Sequence, residues 1–204
     1  MDRGESDTLD VVIKSGAAGV LAGGAAGLVW GGIGGRIAMR VLFLTSEHVD
    51  GVTSDDGFEI GRFSADTIFL LILTGILGGF VGLIYGLGRL LLVGPTWVVA
   101  SAVTLTTGAF GGGTLVTVEG IDFRILEPLW LAVALFVLIP ALWGATIGLV
   151  TERLLGSEVV FAVPPAQVRQ RFLGPFGAVF GWLVLVALTT IGLVELANDI
   201  SGLT

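Results

Sequence analysis

The chain has 204 residues, of which 54% are hydrophobic and only 13% charged, and its mean hydropathy is +0.97, a balance far from that of soluble globular domains. A net charge of −7, with nine arginines and a single lysine, Lys14, repels nucleic acid. The chain contains no cysteine, which excludes disulfides, thiolate metal sites, haem attachment and cysteine nucleophiles.

Crossing about 30 Å of hydrocarbon takes about 20 apolar residues. Five segments meet that length, near 12–35, 66–88, 96–117, 129–150 and 173–195. The predicted fold is an all-α membrane protein, a five-transmembrane-helix bundle with glycine-mediated packing and a small outer loop or hairpin. The stretches between spans are too short for a second core, so residues 1–204 are expected to form one integral membrane domain. Ahead of the first span, Asp2, Glu5, Asp7 and Asp10 outnumber Arg3 and Lys14. That is the wrong charge for a secretory leader, and the first span is expected to be retained.

Along the first span Gly19, Gly23, Gly27, Gly31 and Gly35 recur at every fourth residue. The row makes a continuous groove on which another helix can pack closely, a glycine zipper. Packing against the second or fifth span of the same chain is preferred over a seam between copies. Shorter small-residue pairs occur in the other spans: Gly78, Gly82 and Gly86; Gly108 and Gly112; Gly144 and Gly148; Gly177 and Gly181. At this glycine content single pairs are expected by chance, so the run in the first span carries the signal.

Arg36 and Arg40 lie four residues apart, on one helical face, at the outer end of the first span. Snorkelling to headgroups, or pairing with Glu47, Glu59 or Asp66, is the simpler expectation. An anion or lipid-headgroup phosphate on the two guanidinium forks is the functional alternative. The segment that follows, Thr45 to Ala65, contains Asp56-Gly57 between short runs of β-formers, a hairpin signal. His48 between Glu47 and Asp50 reads as a solvated loop residue, since neither a second histidine nor a cysteine exists to complete a transition-metal site. The acidic residues Asp50, Asp55, Asp56 and Glu59 do not match the spacing of an EF-hand loop. No metal and no cofactor are expected.

Within the remaining spans the polar side chains near the bilayer centre are hydroxyls: Thr74, Ser101, Thr104, Thr106, Thr107, Thr146, Thr189 and Thr190. Ion-coupled carriers ordinarily place a carboxylate or cation there, which weighs against a transporter. Trp143 and Trp182 sit deep, and their indole N–H groups need carbonyls or hydroxyls of neighbouring helices. Pro140 falls mid-span in the fourth helix, where it frees the carbonyl of Phe136 and predicts a kink. Pro164-Pro165 breaks any helix and marks a connector to the fifth span. Trp30-Gly31 with Gly35, Arg40 and Leu42 echoes Trp143-Gly144 with Gly148, Arg153 and Leu155 at identical offsets. Five spans do not divide into two halves, so a transporter-style duplication is not supported.

Arg3, Lys14, Arg89, Arg153, Arg169 and Arg171 fall on the N-terminal side, against Arg36, Arg40, Arg62 and Arg124 on the other. The positive-inside rule then predicts a cell-membrane protein with its N-terminus inside and its C-terminus outside. Tyr85 and Trp97 near the inner ends, and Trp30 and Trp130 near the outer ends, agree with interfacial belts. Neither a Ser-His-Asp set nor a glycine-rich phosphate loop nor paired intramembrane aspartates can be assembled, so no enzyme is expected.

The segment Gly35-Arg36-Ile37-Ala38-Met39-Arg40, the stretch from Gly78-Gly79 through Tyr85 to Arg89, and the stretch from Leu142 to Leu155 together resemble uncharacterised small multi-spanning membrane proteins of actinobacteria and related bacteria. The resemblance implies a membrane class and implies no mechanism. The leading expectation is a structural or interaction component of a membrane complex, a homo-oligomer or a subunit beside another membrane protein. The alternative is a small channel or facilitator for an anion or other small solute, with Arg36 and Arg40 guarding its outer mouth.

Overall fold

The computed structural model describes residues 3–46, 65–118, 123, 126–157 and 167–203. The elements are α1 (Arg3–Ala26), a π-helical segment (Gly27–Gly34), α2 (Gly35–Thr45), α3 (Ala65–Gly88), α4 (Thr96–Leu115), α5 (Leu129–Gly156) and α6 (Gln167–Leu203). Among the described residues there is no strand, as expected where hydrocarbon forces every backbone N–H and C=O to be satisfied within its own segment. Among the described residues, five helical stretches are long and apolar enough to cross a membrane: Thr8–Thr45, Thr67–Gly88, Thr96–Leu115, Leu129–Gly156 and Phe176–Leu203. The hairpin expected around Asp56-Gly57, His48 with its neighbouring carboxylates, and the Pro164-Pro165 connector lie outside the described residues.

Three helices overrun the lengths read from sequence, α5 among them, which runs six residues past 150 to Gly156. The first continues without interruption from α1 through the π segment into α2, so Arg36 and Arg40 stand on helix and not in a loop. It contains no proline, and it stops only where Ser46 turns extended, at φ −99° and ψ 141°. At the other end of the chain, α6 passes through Glu195 and Asp199 because Leu196 between them and Leu203 beyond them still have an apolar cluster to join. Prolines set two of the helix starts. Pro95 and Pro128 immediately precede α4 and α5, at positions where the N–H they lack is not required. Pro140 is accommodated inside an unbroken α5, with its ring against Gly111 of α4, where an added Cβ would lie 2.6 Å from the proline Cβ.

Close packing of neighbouring helices runs in the order α3, α1, α5, α4, α6. The first of these contacts is the tightest. Ser15, Gly19 and Gly23 of α1 and Gly27, the first residue of the π segment, face Gly86, Gly82, Gly78 and Thr74 of α3 in reverse order, the register of an antiparallel pair with one rung per helical turn. A Cβ added at Gly19, Gly23 or Gly27 would fall closer than 3.0 Å to a backbone carbonyl oxygen of α3, and one added at Gly78, Gly82 or Gly86 would meet α1 in the same way. Backbones can approach this far only where side chains are missing, and in lipid that approach, with the dispersion contacts it brings, is what draws helices together. The Ser15 hydroxyl donates to the Gly86 carbonyl at 2.5 Å and closes the ladder at its N-terminal end.

Above Gly27 the rung spacing changes. The segment GLVWGGIG winds as a π-helix, and the Gly35 N–H reaches back to the Trp30 carbonyl, five residues away. A wider turn moves the next inward position from four residues on to five, so Gly32 is buried, close to Leu71 and Thr74 of α3. Gly31 meets only the Thr74 side chain, at 3.2 Å from an added Cβ, and Gly35 has nothing within 4 Å. Half of the eight residues in this segment are glycine, which weakens the α-helical preference enough for tertiary contacts to set the winding.

Three indole N–H groups tie the row together. Trp30 Nε1 donates to Thr146 Oγ1 of α5 at 2.8 Å, while Thr146 donates its own proton to the Leu142 carbonyl. Trp143 of α5 donates back to the Gly23 carbonyl at 3.3 Å, and Trp182 of α6 donates to the Val93 carbonyl at 3.1 Å. Trp30→Phe removes one interhelical hydrogen bond and keeps most of the ring, and it is expected to cost about 1 kcal/mol, in the range found for such bonds in membrane bundles. Equilibrium unfolding in mixed micelles, compared with Thr146→Val, checks the value.

Among the described residues, two apolar clusters fill the interior. One lies toward the end where α1 begins and joins Ala22, Leu92, Val99, Val103 and Ile147, with Tyr85, Trp143 and Trp182 packed around it. The other lies toward the opposite end and joins Leu42, Val116, Phe123, Leu126 and Ala132, where the Phe123 and Phe136 rings meet edge to face at 5.0 Å.

Candidate functional site: a buried arginine and its carboxylate

α3 and α4 are joined by a tight turn, Arg89 to Pro95, in which Leu91 N–H donates to Gly88 O at 2.9 Å and Leu92 N–H to Arg89 O at 3.2 Å. Gly94 completes it at φ +152°, a conformation that side chains resist, next to Pro95, which opens α4. The turn is almost wholly apolar, Leu90-Leu91-Leu92-Val93, so it packs against the helices and carries Arg89 in with it.

Arg89 is fully buried, at 0% exposure. Its Nε donates to Glu152 Oε1 of α5, and its Nη1 wraps back to the Leu92 carbonyl. Glu152 is largely covered, with its side chain 16% exposed, and its second oxygen accepts from Thr96 Oγ1 at 3.3 Å. One charge pair thus joins the end of α3, the turn, the first residue of α4 and the last turns of α5. A guanidinium taken out of water needs a counter-charge and hydrogen-bond acceptors, and Glu152 with Leu92 supplies both. Among the described residues, Arg89 Nη2 and the Oγ1 of buried Thr151 have no hydrogen-bond partner.

The residues singled out by spacing are distributed differently. Gly19, Gly23 and Gly27 are together on the α1–α3 contact, Gly31 at its margin, and Gly35 beyond it. Arg36 is half-buried and Arg40 exposed, with its guanidinium carbon 5.2 Å from the centre of the Phe43 ring, one turn on along α2. Glu47, Glu59 and the side chain of Asp66, the carboxylates expected near them, lie outside the described residues. Among the described residues, no three His, Cys, Asp or Glu side chains stand close enough to hold a metal ion. No protein-family model matches this chain. None of the curated proteins or solved structures compared with it gives a significant match.

Arg89 and Glu152 form no motif, and each falls just past the end of its predicted span. The available signal was the lack of any hydrated stretch after Arg89: four apolar residues and Gly94-Pro95 separate it from α4. An arginine in so short and greasy a turn has little choice but to be covered.

Proposed function

We propose that this protein is a structural or interaction component of a membrane assembly, lying in the cell membrane with its N-terminus inside and its C-terminus outside. One observation carries the reading: the interior is closed by apolar clusters toward both ends, and the threonine hydroxyls of α4 between them reach back to their own helix's carbonyls. Thr104, Thr106 and Thr107 of α4 donate to Ala100, Ala102 and Val103 carbonyls at 2.7 to 2.9 Å. A solute path needs a hydrated line of polar groups, and the arrangement offers helix contacts in its place. The helices at the two ends of the row keep broad apolar faces outward, including Ile72, Ile76 and Phe80 on α3 and Val179, Phe180 and Leu183 on α6. Such faces suit lipid or the helices of a neighbour.

The test is flux. Protein reconstituted in liposomes is expected to pass chloride and nitrate no faster than empty vesicles. A flux present in the parent and lost in the Arg36→Ala, Arg40→Ala pair would establish the alternative, an anion channel or facilitator.

A further inference from the structure

Between α4 and α6 a groove of about 250 Å³ opens sideways from the bundle, bounded by Leu105, Thr106, Trp182, Val186, Thr189 and Thr190. The two helices touch closely further along, where Gly192 lies against Ala109 and Phe110, and separate below that point. The groove is therefore a product of where the small residue sits. Thr106 and Thr189 fall at the middle of their apolar stretches, Thr96–Leu115 and Phe176–Leu203, so the groove faces the centre of a bilayer and not its surface.

Its wall is mostly apolar, with one polar patch rich in acceptors. Thr106 and Thr189 Oγ1 are 2.8 Å apart, Thr106 Oγ1 is 2.9 Å from Ala102 O, and Thr189 Oγ1 is 2.7 Å from Leu185 O. Three oxygen–oxygen contacts at hydrogen-bond distance share two hydroxyl protons. The third hydroxyl, Thr190, donates to Val186 O at 2.8 Å, and the Trp182 N–H is given to Val93 O. Every side-chain donor along the groove is committed, and the hydroxyl oxygens keep lone pairs as acceptors.

We infer that this groove binds a lipid-phase molecule with an apolar body and a hydroxyl donor, of the phenol or quinol type. An O–H has no acceptor among acyl chains, so a lone pair at this depth is worth more to it than at the headgroups. A ring suits the partly exposed face of Trp182. An acyl chain could fill the same volume but would leave the lone pairs unused. The groove includes neither Arg89 nor Glu152, and the inference does not rest on the proposed assembly role.

The probe is an alkylphenol carrying a diazirine, photolysed with the full chain in lipid nanodiscs, with labelled residues mapped by mass spectrometry. Labelling is expected to concentrate around Leu105 and Val186, and 4-hexylphenol is expected to compete about tenfold better than 4-hexylanisole, which lacks the donor. Thr189→Ser should keep that preference, and the Thr106→Val, Thr189→Val pair should abolish it. Equal competition by the phenol and the ether would overturn the inference, since it would mean the groove is merely filled. So would labelling spread evenly over lipid-facing positions such as Ile72 and Phe80, or a preference that survives in the double valine variant.

Discussion

Gly23→Leu is expected to destabilise the protein by about 3–5 kcal/mol, at the upper end of what one substitution does. At this position even the first carbon of a side chain collides with the Gly78 carbonyl and with Gly82 Cα on the facing helix. Backbone cannot step aside as a flexible side chain does, so α1 and α3 must separate, and the contacts along the rest of the ladder go with them. Gly78→Leu, its partner across the rung, should do the same. Gly35→Ala is the informative control: nothing lies within 4 Å of the added carbon, and alanine favours helix over glycine, so a change within about 0.5 kcal/mol or a slight gain is expected. Unfolding of all three variants by denaturing detergent in mixed micelles reads the difference.

The second large effect is at Glu152. Removing it as Glu152→Ala leaves Arg89 buried at 0% exposure without its counter-charge, and a loss of about 3–5 kcal/mol is expected. Arg89→Met, which replaces the charge by an apolar side chain of comparable length, leaves Glu152 near the surface and able to reach water, so it should cost less. The Arg89→Met, Glu152→Leu pair should recover much of the loss from Glu152→Ala, because breaking a buried pair is more costly than replacing it whole. The same unfolding assay separates these cases. A double variant no more stable than Glu152→Ala would show that the pair does more than neutralise itself.

Much of the architecture is legible in the sequence because lipid simplifies the rules. A segment either spans or it does not, and length with hydropathy finds all five helical stretches. Helix ends are harder. Arg36, Arg40, Glu195 and Asp199 look like the edges of spans, yet the backbone stays helical past them since water and headgroups are no obstacle to a helix. The four-residue glycine period is plain from Gly19 onward, but the step to five residues at Gly32 is not. It depends on π winding that the sequence only permits, through its density of glycine, and that packing on Leu71 and Thr74 selects. Arg89 and Glu152 are 63 residues apart and meet only because α5 lies beside the α3–α4 turn, a fact of tertiary packing that no local pattern encodes. The hydroxyl row of α4 is visible in sequence as Thr104, Thr106 and Thr107, but its spending on backbone carbonyls is not, because threonine serves equally well in a polar path or folded back on its own helix.

Since the chain has no cysteine, a pair introduced as Gly24→Cys and Gly79→Cys can be oxidised against a clean background. A Cβ built at either position lies 3.8 or 3.9 Å from the Cα of the other, within reach of a disulfide. Oxidation in native membranes should give a cross-link inside one chain, running as a monomer, while Phe80→Cys with Phe180→Cys, on the two ends of the helix row, should give none. If the first pair instead yields dimers, or fails to cross-link, α1 does not lie against α3 of its own chain.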